Sequence, residues 1–140
     1  MDYLARREHA RAELTDKLTK AGFLPAVAAA AITRLTEDGL QSDQRFADAF
    51  IQSRINQGKG PVRIRAELRE RGLASSVIDI GLEAAEQDWF ELANAVRLKK
   101  FGPTVPADFE QKAKQMRFLQ YRGFEPGHIQ AAVSVNMDSA

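Results

Sequence analysis

Leu18-Thr19-Lys20-Ala21-Gly22-Phe23, Leu68-Arg69-Glu70-Arg71-Gly72-Leu73 and Leu119-Gln120-Tyr121-Arg122-Gly123-Phe124 are three copies of one phrase. Each sets a leucine, three mostly polar residues, a glycine and an apolar residue in a row. Glycine just past the last turn of a helix reaches positive φ without a Cβ clash, and the apolar residue behind it packs back onto that turn. Each copy therefore predicts a helix end and an anchored turn. The glycines are roughly 50 residues apart, a spacing that marks stacked repeats. Leu35-Thr36-Glu37-Asp38-Gly39-Leu40 is a fourth copy out of period, so the phrase alone marks helix ends. The three periodic copies also share their continuation: Pro25, Ser75 and Pro126 start a new helix, and Val27, Val77 or Ile78, and Ile129 take the same apolar place in it.

Working outward, apolar spacing of three and four predicts nine short helices and no strands. They run over about residues 2–8, 10–21, 25–38, 42–56, 61–71, 75–86, 88–101, 107–122 and 126–136. The inward stripes read Leu14 and Leu18; Val27, Ala31, Ile32 and Leu35; Phe46, Ala49 and Phe50; Ile64 and Leu68; Val77, Ile78, Leu82 and Ala85. They continue with Trp89, Phe90, Ala93, Val96 and Leu98; Phe109, Ala113, Met116 and Leu119 to Tyr121; Ile129, Ala132 and Val133. Grouped by the phrase, the chain is all-α, with three tandem three-helix repeats at 1–40, 41–86 and 87–140. An array of this kind suits a surface that grips an elongated partner better than a buried catalytic pocket. Gly81, inside the sixth helix, weakens it by roughly 1 kcal/mol relative to alanine. Arg63–Glu67 and Glu67–Arg71 are expected as i,i+4 ion pairs.

The 140 residues are 44% hydrophobic and 28% charged, ordinary for a globular protein. No cysteine is present, which excludes disulfides and thiolate metal sites. No apolar run nears the ~20 residues that span a bilayer, and the first residues lack a signal-peptide pattern. Net charge is only +1, but it is unevenly spread. Residues 54–71 carry six basic and two acidic side chains, residues 72–96 five acidic and no basic, and residues 97–122 seven basic and two acidic. Such alternation predicts oppositely charged segments on the surface.

Catalytic patterns are missing. His9 and His128 have no ligand partner at metal-site spacing and read as polar residues at the surface or at helix junctions. Gly58-Lys59-Gly60 is not a phosphate loop: Ser53 stands where the upstream glycine belongs, glycine follows the lysine, and no strand precedes it. A turn leading into Pro61 explains both glycines. The remaining candidates are basic. Arg54, Lys59, Arg63, Arg65, Arg69 and Arg71 form one cluster. Lys99, Lys100, Lys112, Lys114, Arg117 and Arg122 form another, interleaved with Phe101, Phe118, Tyr121 and Phe124. Basic helices contact phosphates and aromatics stack on bases, but Phe118 and Phe124 read as core beside the helix-end glycine. A near-neutral chain also fits a protein partner.

Four segments resemble the RecX family of bacterial regulators. They are Arg6-Arg7-Glu8-His9-Ala10-Arg11-Ala12-Glu13-Leu14 with Lys17-Leu18, Asp43-Gln44-Arg45-Phe46-Ala47, Gly58-Lys59-Gly60-Pro61-Val62-Arg63-Ile64-Arg65-Ala66-Glu67-Leu68, and Lys114-Gln115-Met116-Arg117-Phe118-Leu119-Gln120-Tyr121-Arg122-Gly123-Phe124. The resemblance runs from about residue 4 to residue 133. It implies an elongated, curved array of three three-helix repeats, cytoplasmic and not an enzyme, with no cofactor. It implies binding to the RecA recombinase filament on single-stranded DNA, which restrains ATP hydrolysis, strand exchange and coprotease action. The expected contact residues are Lys59, Arg63, Arg65 and Arg69 in the middle repeat and Lys112, Lys114, Arg117 and Arg122 in the last. Arg117 and Arg122 are also candidates for bracing repeats against each other. The protein is expected to be monomeric, with weak or no direct contact to single- or double-stranded DNA. The alternative is a direct DNA-binding protein using its tri-helical units as helix-turn-helix modules.

Two departures from the family pattern stand out. Only a short segment precedes Arg6, where the family has a longer first helix. Ala10 stands where the family often has a capping serine, a loss worth about 0.5–2 kcal/mol.

Overall fold

The computed structural model describes residues 9–37 and 42–138, with side chains through residue 134. Among them are eight helices and no strand: α1 (Arg11–Lys20), α2 (Pro25–Glu37), α3 (Asp43–Asn56), α4 (Pro61–Glu70), α5 (Ser75–Ala84), α6 (Trp89–Phe101), α7 (Phe109–Tyr121) and α8 (Pro126–Asp138). The helix expected over residues 2–8 and the turn at Gly39 lie outside the described residues.

The recurring phrase closes helices as its chemistry requires. Gly22, Gly72 and Gly123 have φ of +101°, +85° and +98°. In each copy the apolar residue donates its N–H back to the leading leucine's carbonyl: Phe23 to Leu18 at 3.1 Å, Leu73 to Leu68 and Phe124 to Leu119 at 3.2 Å. This six-to-one bond satisfies a carbonyl that the helix end would otherwise leave unpaired. Pro25, Ser75 and Pro126 are each the first residue of the next helix.

The chain divides into two compact units. One comprises the residues up to Gln52 together with Glu67–Ala85. Leu14, Ile32 and Leu35 are buried together there, with Leu18 packed against them. Phe46, Ala47, Phe50, Ile51, Leu68, Leu73 and Ile78 are also buried. Burying each large apolar side chain contributes roughly 1.5–3 kcal/mol before entropy is subtracted. Gly81 faces α3, where a Cβ would come within 2.8 Å of Ile51 Cδ1. The end of the Ile51 side chain occupies the space that a side chain at this helix-weakening glycine would need.

The N-terminus of α1 lacks a side-chain cap, as Ala10 predicts. Two other carboxylates serve it. Glu13 Oε1 accepts the Ala10 N–H at 3.2 Å, and Asp43 Oδ1, from the start of α3, accepts the Arg11 N–H at 2.7 Å. A residue 32 positions away thus satisfies one of the orphan donors of α1.

The second unit comprises Ser53–Ala66 and the residues from Glu86 onward. Its core is Ala93, Leu119, Phe124, Ile129, Ala132 and Val133, flanked by Trp89, Leu92, Val96, Met116 and Phe118. Asp88 and Asp108 cap α6 and α7 by accepting the Glu91 and Gln111 N–H groups at 3.1 and 2.8 Å. The loop at Gly58-Lys59-Gly60 packs main chain to main chain on the last phrase. Gly60 N–H donates to the Arg122 carbonyl and Val62 N–H to the Gly123 carbonyl, both at 2.9 Å.

Several expected positions are corrected. Val27, Ala31 and Ala49 point outward, and Ala28 and Ala47 take the buried places beside them. Phe90, Leu98 and Phe109 are exposed, Phe109 by 85%. Both histidines are buried rather than superficial. His9 Nε2 meets Lys17 Nζ at 2.8 Å. His128 Nδ1 accepts the Glu125 N–H at 3.2 Å, so the histidine caps α8 from its third position. Its ring stands edge-on to Phe90 at 4.7 Å. Arg71 is drawn to the start of α1, with its Nη1 3.0 Å from Glu13 Oε2.

Candidate partner-binding surface

The eight basic residues singled out in the sequence divide by what they touch. Arg63, on α4, lies 5.4 Å over the Tyr121 ring and donates weakly to the Tyr121 carbonyl at 3.5 Å. Arg122 closes α7, donates to the Gln57 carbonyl at 3.1 Å and lies 5.4 Å over the Phe118 ring. Arg122 ties the loop before Pro61 to the end of α7 and Arg63 ties the first turn of α4 to it, so both brace as well as carry charge. Lys59, Arg65 and Lys112 are half-buried, whereas Arg69, Lys114 and Arg117 are exposed. Arg69 lies in the first unit, and the other seven in the second.

The same bracing recurs one phrase earlier. Arg71 and Arg122 both stand immediately before the phrase glycine. Arg71 reaches Glu13 and lies 5.0 Å over the Phe50 ring. The glycines behave alike: a Cβ on Gly72 would come within 2.7 Å of Ala12 Cβ, and one on Gly123 within 2.7 Å of Arg63 N. In the first copy Ala21 replaces the arginine, and a Cβ on Gly22 would meet nothing within 4 Å. The Arg-Gly pair is therefore a joint onto a preceding helix, and among the described residues the first copy shows no such joint.

Tyr121 is 77% exposed, an aromatic surface with Arg63 beside it. Phe124 is core, and Phe118 is half-covered by Phe101, Lys100 and Arg122. Sequence reasoning missed a groove of about 450 Å³ in the second unit. Its walls are the end of α3 at Ile55–Gly58, one face of α6 at Leu92, Ala95, Val96, Lys99 and Lys100, and Phe118 and Arg122 of α7. Three cations thus rim an apolar floor. Lys99 and Lys100 also suit the negative end of the α6 dipole.

Arg97 is the other residue the sequence did not reveal. It is fully buried between α6 and α7. Its Nη1 makes long bonds to the Thr104 carbonyl at 3.4 Å and to Gln115 Oε1 at 3.5 Å. Its Nε and Nη2, and Asn94 Oδ1 one turn away, have no hydrogen-bond partner. One of the seven basic residues in the last charged block is therefore internal and adds nothing to the surface. Among the described residues no group of three His, Cys, Asp or Glu side chains could hold a metal ion, and no helix is long and apolar enough to cross a membrane.

Geometry and fold together define an all-helical protein of tandem three-helix units with exposed cations on α4 and α7. Three family descriptions match in order along the chain: "RecX, first three-helix domain" over residues 1–35, the second such domain over 42–82 and the third over 86–133. The chain belongs to the RecX family. It is 48% identical over 131 residues to "Regulatory protein RecX" of Halorhodospira halophila, covering 94% of this chain and 81% of that one. Its fold is similar to the crystal structure of RecX from Lactobacillus salivarius, with a TM-score of 0.82 and 19% identity over 99% of this chain and 92% of that one. A second solved structure, titled as regulatory protein RecX, matches with a TM-score of 0.80 and 24% identity. The match covers 94% of this chain and 66% of that chain.

Proposed function

We propose that the protein binds the RecA recombinase filament and restrains its ATP hydrolysis, strand exchange and coprotease action. Membership of a family of regulatory proteins is the observation that carries this reading. On this reading it works in the cytoplasm as a monomer, by occupying its partner's surface rather than by chemistry. The cations Lys59, Arg65, Arg69, Lys112, Lys114 and Arg117 supply contact to acidic protein surface or to DNA phosphate, while Arg63 and Arg122 hold the surface in shape. Electrostatic complementarity of this kind raises association rate and selects partners more than it raises affinity.

RecA ATPase on single-stranded DNA tests the proposal. Added protein should lower the steady-state rate, and Arg65→Glu/Arg69→Glu should abolish the effect. An unchanged rate at saturating protein contradicts it. Tight, salt-sensitive binding to duplex DNA without RecA would instead support helix-turn-helix modules.

A further inference from the structure

The groove between the end of α3 and helices α6 and α7 combines two properties. It is concave, and at about 450 Å³ it falls within the ~300–1,000 Å³ range of ligand pockets. It also places three cations around apolar walls made by Ile55, Leu92 and Val96. Gly58 keeps the end of α3 close to this wall, since a Cβ there would come within 2.9 Å of Val96 Cγ2.

Resting on the regulatory reading above, we propose that this groove is a docking site for a short acidic peptide segment of the partner protein. One apolar side chain enters the groove and carboxylates on either side pair with Lys99, Lys100 and Arg122. Charge complementarity argues for the acid, and the apolar walls argue for the inserted side chain. Nucleic acid fits less well. The aromatic ring in the lining belongs to Phe118, and its surroundings are already taken by Lys100 Nζ at 5.7 Å, Arg122 at 5.4 Å and the Phe101 ring at 5.4 Å. A base therefore has no open aromatic face in the groove on which to stack.

The test uses the full chain and a fluorescein-labelled peptide, Glu-Glu-Leu-Asp-Phe-Glu, read by anisotropy. Saturable binding is expected, weakening as salt rises. Lys99→Glu/Lys100→Glu should weaken it by about tenfold or more. Ala95→Trp, at an exposed position of the lining, fills the groove without changing charge and should weaken binding comparably. Replacing the peptide's leucine and phenylalanine by alanine should do the same. No binding by wild type, or binding untouched by Ala95→Trp, overturns the proposal. So does a thymidine oligonucleotide that binds more tightly than the peptide and is released by the charge reversals alone. Wild-type protein is sedimented with RecA filaments in parallel. Co-sedimentation without peptide binding overturns the groove and leaves the regulatory reading standing. Peptide binding without co-sedimentation upholds the groove and overturns the regulatory reading.

Discussion

Gly60 and Gly123 meet through their main chains, so closely that neither has room for a methyl group. A Cβ on Gly60 would come within 2.6 Å of Phe124 N and overlap the Gly123 carbonyl, and one on Gly123 would overlap Arg63. The glycine of a turn and the glycine of a helix end, 63 positions apart along the chain, are thus two halves of one contact.

That contact separates the phrase glycines by substitution. Gly22→Ala should cost only the left-handed conformation, about 1–2 kcal/mol. Gly72→Ala and Gly123→Ala should each cost about 2–4 kcal/mol, because overpacking adds to the same strain. Gly60→Ala, with no positive φ, should lose about 1–3 kcal/mol by overpacking alone. Urea midpoints measure all four, and equal losses at Gly22 and Gly123 would refute the joint.

Gly81→Ala should destabilise although alanine is the better helix former by about 1 kcal/mol. The added methyl meets Ile51 Cδ1 at 2.8 Å. Ile51→Val removes that atom, so the double variant should be more stable than the sum of the two single changes predicts. Strict additivity in denaturation would show that the glycine is not set by α3.

Arg71→Ala should cost about 1–2 kcal/mol, since the guanidinium serves both Glu13 and the Phe46 and Phe50 rings. Arg71→Lys should recover less than half, because an ammonium cannot span these partners as a planar fork does. A double-mutant cycle with Glu13→Gln should give a coupling of about 0.5–1 kcal/mol. No coupling would remove the ion pair from the account.

Arg97→Met should unfold no more easily than wild type, within about 1 kcal/mol, or should be more stable. A buried charge with few hydrogen bonds is often neutral or better when exchanged for an apolar residue of similar volume. Arg97→Ala adds a cavity and should lose about 2–5 kcal/mol. A large loss on Arg97→Met would show that the guanidinium has a strong partner.

Local chemistry made much of this fold readable. Glycine at a positive φ and proline at a first turn are determined by their own backbones, so helix ends at Gly22, Gly72 and Gly123 and starts at Pro25 and Pro126 can be read from a few neighbouring residues. Periodicity was less decisive about which side of a helix is covered. Val27 and Phe109 fall on the apolar stripes read from the sequence, yet they are 51% and 85% exposed. The reasons for Gly60, Gly72 and Gly81 were hidden because each lies on another helix. The groove was hidden for the same cause: the end of α3, α6 and the end of α7 are far apart along the chain. Ala10 shows the limit most plainly. Its missing cap is visible in the sequence, and the carboxylate of Asp43 that serves in its place is not.

Sedimentation of RecA filaments assembled on single-stranded DNA addresses regulatory docking most directly. The protein should pellet with the filaments, should bind RecA without DNA, and should lose both with Arg65→Glu/Arg69→Glu. Protein that stays in the supernatant with RecA, yet binds duplex DNA by itself, would contradict the account.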